Sequence, residues 1–363
     1  MKISKSLNPA TISSLILGSL IFASCFISDQ LIVNSFLSVP LICCTIFSIL
    51  CTHLSIPQLK TLKIGQIIRP EGPQSHKRKS GTPTMGGIAV IPISLIIGSL
   101  ISVNEGMGTK LIAISSITLA FMFIGGLDDL QSLLDARSLG LTAKKKILLQ
   151  SIASSIFLVY CSFQNWIDPT INFPWHQSIS IGLLIWPLSL FVFLAESNST
   201  NLTDGLDGLA SGCGALVFTG IAIHLMLRGN NGDPALAGFS IAMAGGWLGF
   251  LSQNHNPAKL FMGDTGSLAM GASLAAIALL SDSLWALLIM GGVFLAEALS
   301  VIIQVSIFKF TKKKYGVGYR LLKMAPLHHH LELSGLSENL IVTSFWLITC
   351  ILIGIVLITT VPT

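Results

Sequence analysis

Long apolar stretches recur along the whole chain and constrain its fold more than any other feature. Eleven of them are long enough to cross a bilayer, at 11–27, 34–56, 86–104, 111–127, 147–163, 177–195, 208–228, 236–252, 266–281, 284–308 and 339–360. In hydrocarbon every backbone donor and acceptor must be satisfied within its own segment, and runs of this length exceed the strands of a barrel. The sequence therefore predicts an all-α polytopic membrane protein.

The composition agrees with this class and excludes a water-soluble domain. Only 10% of the 363 residues are charged, against about a quarter in ordinary soluble domains. The seven cysteines lie almost entirely in apolar runs without metal or redox spacing, so we interpret them as packing residues. The run 11–27 follows two lysines like a secretory signal, but no small-residue cleavage site follows it, and we expect a retained span.

The basic residues predict the orientation of these spans. Eleven crossings put the termini on opposite sides, and all of the 21 basic residues except Lys110 and Arg228 fall on the N-terminal side. Because cytoplasmic loops carry the excess of lysine and arginine, we expect the N-terminus inside and the C-terminus outside. The net charge of +5 then reflects topology and does not indicate nucleic-acid binding. The outer loops are short, so the chemistry is expected at the cytoplasmic face or within the membrane.

Acidic residues gather at the predicted cytoplasmic ends of three spans. Asp128 and Asp129 close the span 111–127 in the sequence GGLDD. A helix C-terminus already carries partial negative charge, so two carboxylates there call for a cation, unless they simply begin a solvated loop. The segment NSTNLTDGLDGLA, 198–210, crowds polar side chains into the loop before the next helix. Helix capping by Asp207 would explain only one of the four side chains Asn198, Asn201, Asp204 and Asp207.

Asp264 completes this set at the start of the span 266–281, in the sequence FMGDTGS. A single aspartate before a helix is more often a cap than a ligand. Its place on the same face as the other acidic groups favours a shared site. Mg²⁺ binds one or two carboxylates together with substrate phosphates, which suits a site gathered from separate helix ends. We therefore expect Mg²⁺ to be held among Asp128, Asp129 and Asp264.

Basic and histidine motifs are predicted on the same face. The run HKRKSGTPTMGG, 76–87, suits phosphate binding, with a topogenic charge run as the alternative. Three histidines stand together in APLHHHLE, 325–332. Successive helical residues point about 100° apart, so the three cannot share one metal, and we expect diphosphate contacts or proton transfer, with a structural role as the alternative. Glu297 lies deep in a span, where we expect packing or a polar contact inside the bundle.

These segments together resemble the bacterial phospho-N-acetylmuramoyl-pentapeptide transferases of the polyprenyl-phosphate hexose-1-phosphate transferase superfamily. The resemblance runs from about Ser35 to the C-terminus and rests on SH…GTPTMGG, GLDD, NLTDGLDGLA, NPAKLFMGDTGSLA, MGGVFLAEALSVI and MAPLHHH, in the family's order. It implies a ten-helix transferase core in 34–363, with 1–33 as an extension that carries one extra membrane span. The triple histidine separates this branch from relatives that transfer N-acetylglucosamine phosphate, which remain the alternative within the superfamily.

The resemblance implies an activity and its residues. The reaction is a Mg²⁺-dependent transfer of phospho-MurNAc-pentapeptide from UDP-MurNAc-pentapeptide to undecaprenyl phosphate, giving lipid I and UMP in the first membrane step of peptidoglycan synthesis. Asp128 and Asp129 match the aspartates assigned to the lipid phosphate, and Asp264 matches the Mg²⁺-associated one. The nucleotide-sugar pocket and histidine motif match Lys79, Asn201, Asp204, Gly205, Leu206, Asp207, Asn254, Phe261, His328, His329 and His330. A homodimer in the bacterial plasma membrane is also implied.

Some alternatives stay open at this point. The family's Asn-Ala-Val-Asn segment is Asn198, Ser199, Thr200 and Asn201 here, and because both asparagines are kept we expect the site to be intact. Direct attack of the lipid phosphate on the β-phosphate is the expected route, with a covalent aspartyl-phosphate as the alternative. From a different class, a secondary transporter also has many spans and membrane acids, but transporters gather charges near the midplane.

Overall fold

The computed structural model describes residues 8–32, 35–61, 81–102, 108–135, 140–173, 177–229 and 232–360. Apart from one short hairpin, its regular structure is helical. The helices are α1 Pro9–Leu31, α2 Ser38–Thr61, α3 Gly87–Ser102, α4 Gly108–Leu134, α5 Ala143–Phe163, α6 Ile185–Thr203, α7 Leu209–Leu227, α8 Pro234–Asn254, α9 Gly263–Leu280, α10 Leu284–Met290, α11 Gly292–Tyr315, α12 Leu327–Glu332 and α13 Glu338–Thr360. The strands β1, Thr170–Asn172, and β2, Ser178–Ser180, pair antiparallel.

Ten helices in the described ranges are long and apolar enough to cross a membrane. They are α1, α2, α4 to α9, α11 and α13. The prediction of an all-α polytopic membrane protein is confirmed. The predicted run 86–104 forms α3, which has 16 described residues, slightly fewer than the shortest typical span of about 17. It packs against α2, α4, α8 and α9 inside the bundle. A domain boundary near residue 33 stays a prediction.

Two predicted spans have different limits in the structure. The run 177–195 begins with β2, and α6 starts only at Ile185 and continues to Thr203. Pro187 is tolerated in the first turn of this helix, where backbone N–H groups lack helical partners. Asn198 and Asn201 therefore lie on a helix and not in the predicted loop. The run 284–308 is divided at Gly291 into α10 and α11, at the kind of glycine pair where helices break.

The centre of the bundle is formed by α7, α8 and α9, which are apolar all round and almost completely buried. Glycines allow the neighbouring backbones to approach α9 closely. A Cβ at Gly125 on α4 would collide with the backbone of Asp264 and Thr265, and one at Gly271 would collide with α6 near Glu196. Because membrane helices associate through such small residues, α9 is held tightly between α4 and α6.

Candidate active site

A carboxylate from α4 caps the N-terminus of α9. Oδ1 of Asp129 accepts a hydrogen bond from the Asp264 N–H (3.1 Å), and Oδ2 accepts from the Thr265 N–H (3.0 Å) and hydroxyl (2.6 Å). The first N–H groups of a helix have no partners within it and carry partial positive charge, so a carboxylate is stabilised there. Asp129 satisfies these groups in place of a local cap, because the N-cap residue Met262 makes no side-chain bond. The alternative that Asp264 is the cap is therefore wrong.

The predicted position of the aspartate pair at a helix end is also wrong. The helix α4 continues beyond Asp128 and Asp129 to Leu134, because the residues that follow include three leucines and a glutamine, which are good helix formers. The pair lies inside the helix, where repulsion from a C-terminal dipole does not act. A positive charge does lie next to Asp128, but it is a lysine side chain of α5. A metal ion beside the pair stays a prediction.

A single lysine joins Asp128 to Asp264. Nζ of Lys146 forms an ion pair with Oδ2 of Asp264 and lies 3.8 Å from Oδ2 of Asp128. Oδ1 of Asp264 accepts a hydrogen bond from Nδ2 of Asn201 (2.7 Å), and Oδ1 of Asp128 accepts from the Leu141 N–H (2.9 Å). The side chains of Lys146, Asp128 and Asp264 are 14%, 15% and 23% exposed, so the cluster is mostly buried but not closed to solvent. Four helices, α4, α5, α6 and α9, contribute to it.

Lys146 is a site residue that the sequence reasoning missed. By sequence, its charge is explained by the topology of the chain alone. The one sequence feature that could have indicated a site role is its position as the last lysine of a run, directly before an apolar stretch. The structure places this residue in the second turn of α5, and its ammonium group points at carboxylates of two other helices.

The two asparagines of α6 both have polar partners. Nδ2 of Asn201 contacts Oγ of Ser267 (2.9 Å) as well as Asp264. Nδ2 of Asn198 donates to Oε1 of Gln150 on α5 (2.8 Å) and to the Leu194 carbonyl. Asn201 therefore orients the aspartate at the start of α9, whereas Asn198 fixes α6 against α5.

The turn between α6 and α7 adds a fourth aspartate to the cluster. Burial, together with the nearby carboxylates of Asp264 and Asp129, raises the pKa of Asp204 well above its ordinary value. Its carboxylate accepts a hydrogen bond from the Gly263 backbone at the start of α9. The residue thus lies next to the Lys146 cluster, in a position where added positive charge would favour its ionised form.

Asp207 does not cap α7. The N-cap of α7 is Gly208, whose φ of 83° is a left-handed conformation that glycine adopts without steric cost. The buried Asp207 carboxylate points instead to the α8–α9 loop, and its Oδ2 accepts from Nδ2 of Asn256 (3.1 Å) and from the Ala258 N–H (2.9 Å). Its own N–H donates to Oε1 of Glu338 at the start of α13 (2.8 Å). Asp207 thereby connects three parts of the bundle.

Asn254 holds the α6–α7 turn against the end of α8. Its Oδ1 accepts from the Gly208 N–H (3.1 Å) and from Oγ of Ser211 (2.8 Å), and its Nδ2 donates to the Leu260 carbonyl (3.0 Å). The side chain is buried and its polar atoms are engaged within the protein. We infer that Asn254 shapes the pocket by fixing these two connections.

Phe261 joins the threonine-proline segment to the α8–α9 loop. Its N–H donates to the Pro83 carbonyl (2.8 Å), and its carbonyl accepts from the Gly86 N–H (2.9 Å). Leu206 is buried in the turn before α7. Lys79 lies outside the described residues, so its contact with phosphate stays a prediction.

The three histidines face different partners. The N–H of His328 donates to Oε1 of Glu297 (3.2 Å), and Nδ1 lies 3.0 Å from Oε2 of the same carboxylate, with both side chains fully buried. Nδ1 of His329 lies 3.5 Å from Glu332, and Nδ1 of His330 accepts from the Lys323 N–H. The three imidazole rings therefore have separate partners within the described residues.

Glu297 is connected to the candidate site through His328. The polar contact that its position in a span predicted is the hydrogen bond to this histidine. The ring of His328 lies directly against Gly205, where a Cβ would collide with Nε2. Glu297 thus orients a histidine that touches the turn carrying Asp204 and Asp207.

The residues at the cluster fit a magnesium ion that arrives with phosphate. Among the described residues no group of three or more His, Cys, Asp or Glu side chains is arranged as a complete metal site. Asp128 and Asp264, however, direct carboxylate oxygens at one shared cation, the Lys146 ammonium. Mg²⁺ requires only one or two protein carboxylates when substrate phosphates complete its shell. Both oxygens of Asp129 already accept hydrogen bonds from α9, so this carboxylate is less available to a metal ion than those of Asp128 and Asp264. Metal ligation by Asp129 stays a prediction.

The neighbouring aspartates are expected to respond differently to neutral substitution. Asp129→Asn should lower both activity and the free energy of unfolding, the latter by about 1 to 2 kcal/mol, because the amide keeps only one of the two oxygens that accept from α9 and loses the negative charge. Asp128→Asn should lower activity with a much smaller change in stability, because its carboxylate is partly exposed and bonds only one backbone N–H in the contacts described. Thermal unfolding and enzymatic activity measured on both variants check this difference, and equal losses of stability would contradict it.

Comparison with known proteins defines the class. Residues 111–282 match the family described as Glycosyl transferase family 4, and residues 79–91 match Phospho-N-acetylmuramoyl-pentapeptide-transferase signature 1. Two curated relatives are named phospho-N-acetylmuramoyl-pentapeptide-transferase. The one from Prochlorococcus marinus (strain MIT 9313) is 60% identical over 95% of this chain and 93% of its own length. The one from Synechococcus sp. (strain WH7803) is 59% identical over 93% of this chain and 92% of its own length.

A third relative of the same name, from Synechococcus elongatus, is 49% identical over 82% of this chain and 81% of its own. The matches define a membrane-embedded transferase that contains a region similar to Glycosyl transferase family 4. Within that class, the chain belongs to the phospho-N-acetylmuramoyl-pentapeptide-transferase family. The resemblance stated from the motifs is confirmed.

Proposed function

We propose that the protein transfers phospho-MurNAc-pentapeptide from UDP-MurNAc-pentapeptide to undecaprenyl phosphate, giving lipid I and UMP. The observation that carries this proposal is an identity of 60%, over 95% of the chain, to a protein with the transferase name. The convergence of Asp128, Lys146 and Asp264 at one end of the bundle supports it. Neither the N-acetylglucosamine phosphate transferase nor the transporter has a comparable observation in its favour.

The cluster is suited to bring two phosphorylated substrates together. Their negative charges repel each other, and positive charge must offset this repulsion in the transition state. Lys146 supplies one such charge, and its two carboxylate contacts hold it in place. Mg²⁺ held by Asp264 and Asp128 would neutralise phosphoryl oxygens further. Asn201 keeps Asp264 oriented for this task, since it donates to the other carboxylate oxygen.

In the direct route, an oxygen of the lipid phosphate forms a bond to the β-phosphorus of the UDP-sugar. The bond between that phosphorus and the oxygen bridging to the α-phosphorus breaks, and UMP leaves with the electron pair. The carboxylate of Asp128 bonds one backbone N–H and pairs with Lys146, whereas both oxygens of Asp129 accept from α9, so we assign Asp128 to orienting the lipid phosphate and accepting any proton that it carries. Asp129 acts indirectly because it anchors α9. Glu297 orients His328, whose ring packs against Gly205 in the turn between α6 and α7.

The proposed function is tested by UMP release from purified protein. With UDP-MurNAc-pentapeptide, undecaprenyl phosphate and Mg²⁺, we expect UMP and a lipid-linked phospho-sugar in equal amounts. Chelation with EDTA should stop the reaction and added Mg²⁺ should restore it. No release under any of these conditions would refute the proposal, and preference for UDP-N-acetylglucosamine would favour the other branch. Phospho-sugar label bound to the protein without lipid would replace the direct route by a covalent one.

We further propose that the site faces the cytoplasm of a bacterial plasma membrane. If α3 crosses the membrane together with the ten longer helices described above, the eleven crossings put the N-terminus inside and the C-terminus outside. The lysines of α5 and the last turn of α11 support this orientation. A cysteine replacing Lys313 should react with a membrane-impermeant reagent only after cell lysis, whereas one replacing Ile179 on β2 should react in intact cells. The reverse pattern would contradict the orientation. Assembly as a homodimer stays a prediction.

A further inference from the structure

Two hydrogen bonds connect the first turn of α1 to the loop between α8 and α9. Nδ2 of Asn8 donates to the Asn256 carbonyl (2.9 Å), and Oγ1 of Thr11 lies 3.0 Å from Nε2 of His255. Asn8 is also the N-cap of α1, because its side chain accepts from the Ala10 N–H. The beginning of α1 is thus attached by polar contacts to a loop that is remote from it in sequence.

The contact between Thr11 and His255 has a defined direction. Nδ1 of His255 lies 3.1 Å from the Leu251 carbonyl, which only accepts hydrogen bonds, so Nδ1 carries the proton. In the neutral ring Nε2 is then an acceptor, and the Thr11 hydroxyl donates to it. The ring of His255 is held from both sides, by α8 through Leu251 and by α1 through Thr11.

Asn256 continues this connection to Asp207. Its Nδ2 donates to Oδ2 of Asp207 (3.1 Å) and to Oε2 of Glu338 (2.8 Å). The Ala258 N–H donates to the same Asp207 oxygen (2.9 Å). One amide group therefore separates two carboxylates that would otherwise repel each other. The backbone carbonyl of Asn256 is the atom that accepts the hydrogen bond from Asn8.

We propose that Asn8 and Thr11 are positioning residues for the nucleotide-sugar pocket. They fix His255 and Asn256, and Asn256 in turn orients the carboxylate of Asp207. The same loop leads directly to Phe261 and Asp264, so its position also affects the start of α9. This inference rests on the proposed function, because it takes the Asp207 side of the site to bind the UDP-sugar. The helix α1 then supports substrate binding in addition to anchoring the chain in the membrane.

The test uses substitutions that remove only the two connecting hydrogen bonds. Thr11→Val replaces the hydroxyl by a methyl group of similar size. Asn8→Ser keeps an N-cap acceptor for α1 but loses the amide donor. Ser13→Ala is the matched control, since the Ser13 hydroxyl bonds the Pro9 carbonyl of the same helix. Thr11→Ser restores the hydroxyl and serves as the rescue variant.

The expected result separates the two substrates. In the double variant Asn8→Ser/Thr11→Val, the KM for UDP-MurNAc-pentapeptide should rise about three- to tenfold, as loss of one or two hydrogen bonds produces. The KM for undecaprenyl phosphate and kcat should stay within about twofold of the wild type, as for an interaction that acts on one bound substrate. Ser13→Ala and Thr11→Ser should match the wild type. A general loss of structure would not discriminate between the substrates.

Other outcomes would overturn the inference. An unchanged KM for the nucleotide substrate in an active double variant would show that α1 does not position the pocket. Equal changes in both KM values would show a structural role only. If the double variant cannot be purified, Thr11→Val alone is measured by the same criteria. An inactive wild-type protein would instead refute the proposed function, so the two failures are distinguishable.

Discussion

Replacing Asp264 with asparagine should lower the rate of UMP release by about a thousandfold or more, a loss typical when a central electrostatic group is removed. Asparagine has nearly the same shape, but it carries no charge to hold Lys146 or to bind Mg²⁺. The variant should still fold, because the N-terminus of α9 is capped by Asp129 and not by the Asp264 side chain. The measurement is UMP release at saturating Mg²⁺, accompanied by thermal unfolding.

Asp282→Asn is the matched control for this substitution. Asp282 follows the other end of α9 and has a positive φ of 52°, which asparagine also tolerates. We expect this variant to retain nearly full activity, because its carboxylate lies at the end of the bundle opposite the cluster. Near-wild-type turnover of Asp264→Asn would remove Asp264 from the reaction and with it the proposed metal position.

Replacing Glu297 with leucine should have the largest effect on stability. The carboxylate receives hydrogen bonds from the backbone and the ring of His328, and both side chains are fully buried. Leucine would leave two buried donors without an acceptor, and removal of one partner from a buried polar pair costs about 3 to 5 kcal/mol. Thermal unfolding should show a strongly destabilised protein, and activity should fall because the His328 ring is no longer held against Gly205.

Glu297→Gln separates the hydrogen bond from the charge. Glutamine keeps one carbonyl oxygen as an acceptor for His328 but carries no negative charge. We expect its loss of stability to be clearly smaller than that of Glu297→Leu. An unfolding temperature of the leucine variant equal to that of the wild type would show that the Glu297–His328 contact does not stabilise the bundle.

The helical fold was predictable because hydrocarbon permits few backbone arrangements, but helix ends were not. Hydropathy predicted that one span ends near residue 195, whereas α6 extends to Thr203. The reason lies in its hydroxyl side chains. Ser197, Thr200 and Thr203 each donate to the carbonyl four residues earlier, which satisfies their polar groups inside the helix. A polar segment thus continues a helix that composition alone would end.

The acidic motifs predicted which residues gather at one end of the bundle, but not what each of them does. Asp129 is a cap for a helix 135 residues away along the chain, and Lys146 pairs with an aspartate 118 residues away. Such contacts depend on which helix faces meet, and the Gly125 contact that brings α4 against α9 has no local signal beyond a small residue. The positive-inside rule alone explains a lysine at this position, so there was no separate reason to expect its contacts with Asp128 and Asp264.

Complete enclosure of α7 separates the centre of the bundle from the surrounding lipid. Its side chains from Leu209 to Met226 are all buried, and α8 and α9 are nearly so. Acyl-chain length and headgroup chemistry therefore act first on peripheral helices such as α1 and α11, whose large apolar side chains are exposed. We therefore expect a change in bilayer thickness to affect turnover through these peripheral helices, which activity measurements in bilayers of graded thickness would test.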